Sequence, residues 1–300
     1  MNAPPSQDAH TPAQTGARPT SSEHGIEVSV VAPAHNEEEN IPALVEQVGA
    51  ALSPLGIGFE FIVVDDGSTD ATREVTRSLM ADRPWLRCLS MANTPPGSGN
   101  GQSAAFHAGF RAARGRLIAV LDADLQNDPA DYPAMLTLLA EQDADMVQGD
   151  RSHARKDSPI RKWGSWVGRK FRLWLLGDRI RDTGCSLRIM KREIALALPL
   201  EFKGMHRFIP ATAGILGYKV VEMPVNHRPR VAGETKYGMG ITKRALPGLI
   251  DCFAMRWMRS RRRPVVGVEI ASQRAEVAAT PSSAASPANE SAAVSAGDRA

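Results

Sequence analysis

Between residues 26 and 149 the chain alternates short apolar runs with helical patterns, and no other feature restricts its fold as strongly. Strand-like runs occupy 26–32, 59–64, 86–91, 117–121 and 146–149. Within 36–52, Ile41, Leu44, Val45, Val48 and Leu52 recur at helical spacing. Glu37, Glu38 and Glu39 crowd the expected first turn of that helix, where they favour its dipole. Asp70 is placed to cap a helix carrying Val75 and Leu79. Residues 102–114 read as an alanine-rich helix, and Asp128-Pro129 offers a cap and a first-turn proline for the next. This alternation predicts an α/β fold, a mostly parallel sheet with helices on both faces. Ligands of such sheets gather beyond the carboxyl ends of the strands. Three polar clusters fall there: Pro33-Ala-His-Asn-Glu37, Asp65-Asp-Gly-Ser68 and Asp122-Ala-Asp-Leu-Gln126.

The third cluster carries the most chemistry. Asp122-Ala-Asp124 directly follows the apolar run Leu117-Ile-Ala-Val-Leu121. Two carboxylates one residue apart at a sheet edge repel each other unless a cation lies beside them. A hard divalent ion, Mg²⁺ or Mn²⁺, would satisfy both and grip a diphosphate in turn. Taken alone, the triplet fits a strand-end turn equally well. Asp65-Asp66-Gly67-Ser68 is open in the same way. It suits a turn, or Asp66 accepts from a base or ribose hydroxyl. Gly97-Ser-Gly-Asn-Gly101 superficially resembles a dinucleotide loop, but Pro95-Pro96 precede it and it follows the third strand. A flexible loop leading into a helix is the expectation there. Further on, His206-Arg207 and Asn226-His-Arg-Pro-Arg230 supply donors. Arg230-Val-Ala-Gly-Glu-Thr-Lys236-Tyr-Gly238 joins a fork donor to a point-charge donor, which suits a flap over a diphosphate or an ordinary solvated loop.

The 300 residues are 43% hydrophobic, ample for one core, but the two ends differ from the middle. Residues 1–24 and 265–300 are rich in small and polar side chains and are expected to be disordered. A catalytic domain over 25–240 and an amphipathic basic helix over 241–264 lie between them. Cys88, Cys185 and Cys252 form no spacing pattern. Neither a signal-peptide layout nor an apolar stretch near the ~18 residues of a spanning helix is visible. A cytoplasmic setting is expected. The net charge of +3 is uneven, because residues 151–181 hold ten Lys or Arg against Asp157 and Asp178. Such charge attracts nucleic acid, anionic lipid or phosphorylated substrates without distinguishing them. With no recognised nucleic-acid module present, nucleic acid is not the expected partner.

These segments, in this order, resemble the family 2 glycosyltransferases, specifically the dolichyl/polyprenyl-phosphate hexose synthases. The likeness rests on residues 30–37, 62–70, 121–126, 149–151 and 182–188, together with the 230–238 loop. It implies a GT-A fold, Rossmann-like, and an inverting transfer of a hexose from a GDP- or UDP-sugar to a polyprenyl phosphate. By that resemblance Pro33, His35, Glu37, Val64 and Asp66 hold the nucleoside, with Ala123 also lining the donor site. Asp122, Asp124 and Gln126 ligate Mg²⁺ or Mn²⁺, and Arg151, Arg230 and Lys236 surround the phosphates. Arg151, Arg161 and Arg188 are the candidates for the acceptor phosphate. Asp124, Arg230, Lys236 and Asp182 are the catalytic candidates, Asp182 being the base should the acceptor be a sugar hydroxyl. His35 stands where the family usually has Tyr or Phe, which alters base stacking. Many bacterial relatives continue into transmembrane helices, whereas here a polar tail follows Arg263.

Two readings compete with this one: a family 2 transferase using a sugar hydroxyl, and a non-catalytic nucleotide-sugar binder. For the lipid phosphate, Arg161-Lys162-Trp163, Trp166, Val167 and Trp174 amid Arg169, Lys170 and Arg172 suit a membrane interface, or equally a helix packed on the sheet. Leu246, Leu249, Ile250, Phe253, Trp257 and Met258 form a second apolar stripe, followed by the basic run 256–263. Peripheral attachment to an anionic membrane at its cytoplasmic face is expected. An integral membrane protein is a further candidate partner, which no residue identifies.

Overall fold

A computed structural model of the chain describes residues 25–153, 168, 170–229 and 241–265. The terminal segments expected to be disordered lie outside them, apart from Val265. Residues through Ser260 belong to one compact unit, while Arg261 onward forms a second.

The first unit is built on a seven-stranded sheet in the order β3-β2-β1-β4-β6-β5-β7. Its strands are β1 (Val28–Ala34), β2 (Phe59–Asp65), β3 (Leu86–Ser90), β4 (Leu117–Val120), β5 (Met146–Asp150), β6 (Arg188–Lys191) and β7 (Val220–Pro224). Pairing is parallel for β1 with β2 and β4, for β2 with β3, and for β5 with β7. Only β6 is reversed, antiparallel to both β4 and β5. The mostly parallel sheet read from the sequence is present, with the five expected strands in place to within a few residues. β6 and β7 had no counterpart in that reading.

The helices are α1 (Ile41–Leu52), α2 (Thr72–Leu79), α3 (Gln102–Ala112), α4 (Tyr132–Glu141), α5 (170–176), α6 (Arg192–Ala197), α7 (Ile209–Leu216) and α8 (Ile241–Arg261). Side chains alternate across the sheet with the strand period of two. Val28, Val30 and Ala32 of β1 therefore join the stripe of α1 (Ile41, Leu44, Val45, Val48, Leu52) and Tyr132 and Met135 of α4 in one core. Val31 points to the opposite core, with Phe106 and Phe110 of α3 and Ile209 of α7. Burying a side chain of this size contributes about 1.5–3 kcal/mol, so the stripe on α1 outweighs its weak ends.

Two local expectations are corrected. Glu37, Glu38 and Glu39 are not in the first turn of α1, which starts at Ile41 and has no acidic residue there. Glu37 and Glu38 instead serve a clasp with the loop after β2, described below. Asp128-Pro129 does not open α4 directly. It opens a 3₁₀ turn, Pro129–Asp131, where Asp128 accepts from Ala130 N at 3.0 Å. The helix follows from Tyr132 with a second proline, Pro133, in its first turn.

α8 presents two different faces. Cys252 and Met255 are buried against the core, while Leu249, Ile250, Phe253 and Trp257 are exposed. Met258, grouped with that exposed stripe in the sequence, is half-buried against the core instead. Among the described residues no helix is long and apolar enough to cross a membrane.

Candidate active site

Parallel register brings the ends of β1 and β2 together, with Pro33 opposite Val64 and Ala34 opposite Asp65. Side chains then stitch the two following loops. Asn36 N donates to Ser68 Oγ at 3.0 Å, and Thr69 N to Asn36 Oδ1 at 2.8 Å. Glu37 N donates to Thr72 Oγ1 at 2.8 Å, Glu38 N to Asp70 Oδ2 at 3.1 Å, and Ala71 N to Glu38 Oε2 at 2.7 Å. Asn36 holds φ at 55°, a left-handed conformation that asparagine tolerates better than most residues. His35 Nδ1 donates to Asp66 O at 2.7 Å, so its ring lies against the second loop.

The adjacent aspartates divide the work. Asp65 accepts from Arg73 Nε at 3.0 Å and from Ser68 N at 3.0 Å, and so braces the start of α2. Asp66, buried at 5% exposure, faces the glycine loop. Its carboxylate accepts from Asn100 N at 2.8 Å and Gly101 N at 2.7 Å. The 97–101 loop leads directly into α3 at Gln102, as the sequence suggested, and two of its backbone N–H groups are held by Asp66. Its glycines carry the cost, since Gly97, Gly99 and Gly101 all have positive φ.

Gln102, the first residue of α3, continues directly from that loop. Its Nε2 donates to Asp122 Oδ1 at 2.5 Å. Ser186 Oγ donates to the other oxygen, Oδ2, at 2.5 Å. Burial raises the Asp122 pKa, and the negative charge of Asp124 adds to the shift, while Ser186 and the guanidinium groups of Arg151 and Arg188 oppose it. Asp124 accepts from Gln126 N at 3.2 Å. Between them Leu125, buried, takes a φ of 60°, a left-handed conformation uncommon for a bulky apolar side chain. A strap after β7 holds this loop from outside. Asn127 and His227 form an isolated bridge, Arg228 N donates to Gln126 O at 2.9 Å, and the Arg228 guanidinium pairs with Asp128. A cavity of about 490 Å³ opens beside the strap, lined by Asp128, His153, Pro224, Val225, Asn226, His227 and Arg228.

Arg151 follows β5 and meets Asp182 in a buried pair, Nε to Oδ2 at 2.9 Å and Nη2 to Oδ1 at 3.3 Å. Burial alone would lower the Arg151 pKa, but the hydrogen bonds and charge of Asp182 outweigh it and raise the pKa. Asp182 also accepts from Gly184 N at 3.0 Å, where a Cβ would lie 3.2 Å from Arg151 Nη2. Arg188, on β6, is buried beneath this group. Its guanidinium donates to the carbonyls of Cys185, Ser186 and His206, and burial pushes its pKa down to about 10. His206 is held down at about 3, chiefly by burial and then by Arg207 and Arg188. Its neutral Nδ1 accepts from Ser103 Oγ at 2.8 Å.

The structure therefore gathers Asp122, Asp124 and Gln126 at the carboxyl edge, with charge coupling between Asp122 and both Arg151 and Arg188. Pro33, His35, Glu37, Val64 and Asp66 form a separate group on the neighbouring strand ends. Ala123 is buried under the loop. Arg161, Arg230 and Lys236 lie outside the described residues, as do Trp163, Trp166 and Arg169. Gln102 and Ser186 were not singled out, because neither residue type signals a contact with Asp122 before the chain is folded. Two hard carboxylates and an amide oxygen on one short loop form a donor set that fits Mg²⁺ or Mn²⁺, with the remaining positions left to water and phosphate oxygens. Among the described residues no group of three or more His, Cys, Asp or Glu is placed to hold a metal, and the amide of Gln126 falls outside those residue types.

Residues 29–197 match the family described as glycosyl transferase family 2. A dodecaprenyl-phosphate galacturonate synthase of Rhizobium johnstonii is 38% identical over 242 residues, covering 80% of this chain and 69% of the relative. An undecaprenyl-phosphate 4-deoxy-4-formamido-L-arabinose transferase of Aeromonas hydrophila is 36% identical over 225 residues, covering 75% of this chain and 67% of the relative. Among solved structures, a mannosyltransferase from Pyrobaculum calidifontis in complex with GDP-Man and Mn²⁺ matches with a TM-score of 0.54 at 21% identity, over 79% of this chain and 66% of that one. Glucosyl-3-phosphoglycerate synthase from Mycobacterium tuberculosis with Mn²⁺, UDP and phosphoglyceric acid matches at 0.58 and 20% identity, over 77% of this chain and 80% of that one. The chain belongs to glycosyl transferase family 2 and is a glycosyltransferase of GT-A fold.

Proposed function

We propose that this glycosyltransferase moves a sugar from a nucleotide-sugar to a polyprenyl phosphate, with inversion and with Mg²⁺ or Mn²⁺ assistance. The observation that carries the reading is the Asp122–Asp124 pair at the end of β4, with each Asp122 oxygen held by a donor. Two relatives of 36% and 38% identity bear names of polyprenyl-phosphate sugar enzymes, which supports the acceptor class.

The physical difficulty in sugar transfer is charge building on the departing diphosphate. A divalent ion supplies counter-charge to that leaving group when bound. The chain's own task is to hold donors in place beforehand, since preorganised electrostatics is often the largest catalytic contribution. Asp122, Asp124 and Gln126 would hold the ion, and Arg151 with Arg230 and Lys236 would face the phosphates. The clasped loops carrying Pro33, His35, Glu37, Val64 and Asp66 would take the nucleoside, with Ala123 packed beneath the donor. Because the Arg188 guanidinium faces three carbonyls, we assign it to supporting Ser186 and its neighbours, and give the acceptor phosphate to Arg151 and Arg161. A phosphate monoester has a second pKa near ~6 and is largely ionised at neutral pH. It needs no base, which agrees with an Asp182 carboxylate engaged by Arg151 and Gly184.

The acceptor also implies a membrane. We place the chain peripherally on an anionic surface at the cytoplasmic face, through the exposed Trp174, Phe253 and Trp257 with Arg256 and Arg259 beside them.

The test is a transfer assay pairing UDP- and GDP-linked sugars, uronic acid and amino-sugar derivatives included, with polyprenyl phosphate and with saccharide acceptors. Product on the lipid phosphate alone is expected. Product on saccharides alone would establish the hydroxyl-acceptor reading instead.

A further inference from the structure

The nucleoside-side aspartate and the metal-side aspartate are joined by a continuous piece of backbone. Asp66 grips Asn100 N and Gly101 N, and the next residue, Gln102, donates to Asp122 Oδ1. From the other side Ser186 Oγ donates to Asp122 Oδ2. Ser186 is in turn anchored through its carbonyl, which accepts from Arg188 Nε at 3.2 Å. Arg188 also reaches His206 O, and Ser103, the residue after Gln102, bonds to His206 through both N and Nδ1. The first turn of α3, the segment before β6 and the 3₁₀ turn at 205–208 thus form a closed ring around one carboxylate.

We infer that Gln102 and Ser186 are positioning residues for the metal, fixing the rotation of the Asp122 carboxylate so that each oxygen presents its remaining lone pair in a set direction. A carboxylate oxygen accepts more than one bond, so one neutral donor on each leaves coordination capacity free. Neither donor carries charge, so both hold the anion without competing with the cation for it. Outer partners of this kind typically change metal affinity by about 10–100-fold when removed. The glycine loop gains a purpose from this arrangement. Positive φ at Gly99 and Gly101 lets the backbone turn onto Asp66 and deliver Gln102 to Asp122.

This inference rests on the metal reading under Proposed function, so the experiment separates the two. Mn²⁺ binding is measured by titration calorimetry in the presence of saturating UDP or GDP, for the parent, Gln102→Met, Ser186→Ala and Ser186→Thr. Metal-free nucleotide affinity and melting temperature are recorded for each. The expected result is a Mn²⁺ Kd raised about 10–100-fold in Gln102→Met and Ser186→Ala, recovered in Ser186→Thr, with metal-free nucleotide affinity unmoved. Parent-like Mn²⁺ affinity in both variants would overturn the inference while leaving the metal reading intact. An equal loss of metal-free nucleotide binding would also overturn it, since it would make the ring a scaffold of the whole site. If the parent binds no divalent ion with either nucleotide, the metal reading and this inference fall together.

Discussion

Asp182 is where the acceptor chemistry becomes a question about one side chain. Its carboxylate is tied to Arg151 and Gly184, an arrangement for aiming a guanidinium. Removing a true general base costs about 10²–10⁴-fold in rate. Asp182→Asn keeps an oxygen for Arg151, so transfer to polyprenyl phosphate should fall by less than that. A collapse of turnover in a variant with unchanged melting temperature would speak for a base and a hydroxyl acceptor. His206 makes a separate prediction about pH. Its pKa in the fold is about 3, against ~6.5 in an unfolded chain. The unfolded state therefore binds more protons between those values, and stability rises with pH there. The contribution of His206 is complete above ~6.5 and is lost as pH falls toward 3. The urea midpoint of the parent should drop more between pH 7 and pH 5 than that of His206→Gln, and equal drops would contradict the assignment. At this scale the carboxylate pair was legible, because an apolar strand ending in two acids is unusual chemistry wherever it folds. Gln102 and Ser186 were not. They lie 20 and 64 positions from Asp122, and only the packing of α3 and β6 brings them to it.

Among the elements, α3 does most to align the site, and its fit depends on one small residue. A Cβ on Gly109 would lie 2.4 Å from Val31 Cγ1 and 3.0 Å from Val64 Cγ2. Alanine gains about 1 kcal/mol of helix propensity over glycine, whereas overpacking a core costs about 1–3 kcal/mol. Gly109→Ala should therefore lower the urea midpoint, and it should also weaken Mn²⁺ binding, because Gln102 rides on the same helix. A midpoint equal to or above the parent's would show that the strands yield easily. The first five strands and α1 could be read from apolar periodicity, which parallel α/β units display openly. β6 could not be read. It is four residues long and carries Arg188 and Lys191, and it enters the sheet antiparallel between β4 and β5, out of chain order. β7, with half-buried Val220, Val221 and Glu222, has no apolar run to announce it.

For the molecule as a whole, the proposed lipid-phosphate acceptor would bring one face of the first unit to a membrane surface. Trp174, Phe253 and Trp257 are 75%, 56% and 62% exposed, a costly arrangement in water unless something covers them. Basic residues near an anionic surface add roughly 1 kcal/mol each. Phe253→Ser combined with Trp257→Ser should reduce sedimentation with phosphatidylserine vesicles at low salt several-fold, at unchanged melting temperature. Undiminished sedimentation would remove this face from the account. The overall architecture was foreseeable because the alternation of strand and helix admits few topologies. The placement of Asp66 against the glycine loop was not, since it depends on two loops closing over each other.

The most direct test follows polyprenyl-phosphate-linked sugar formed by the parent and by Asp124→Asn, each with Mn²⁺ and with EDTA. Loss of one preorganised donor group costs on the order of 10²–10³-fold, so the variant should fall at least that far and the parent should stop with EDTA. An Asp124→Asn protein that transfers at the parent's rate, indifferent to chelation, would contradict the claim that a cation held at this carboxylate pair receives the departing diphosphate.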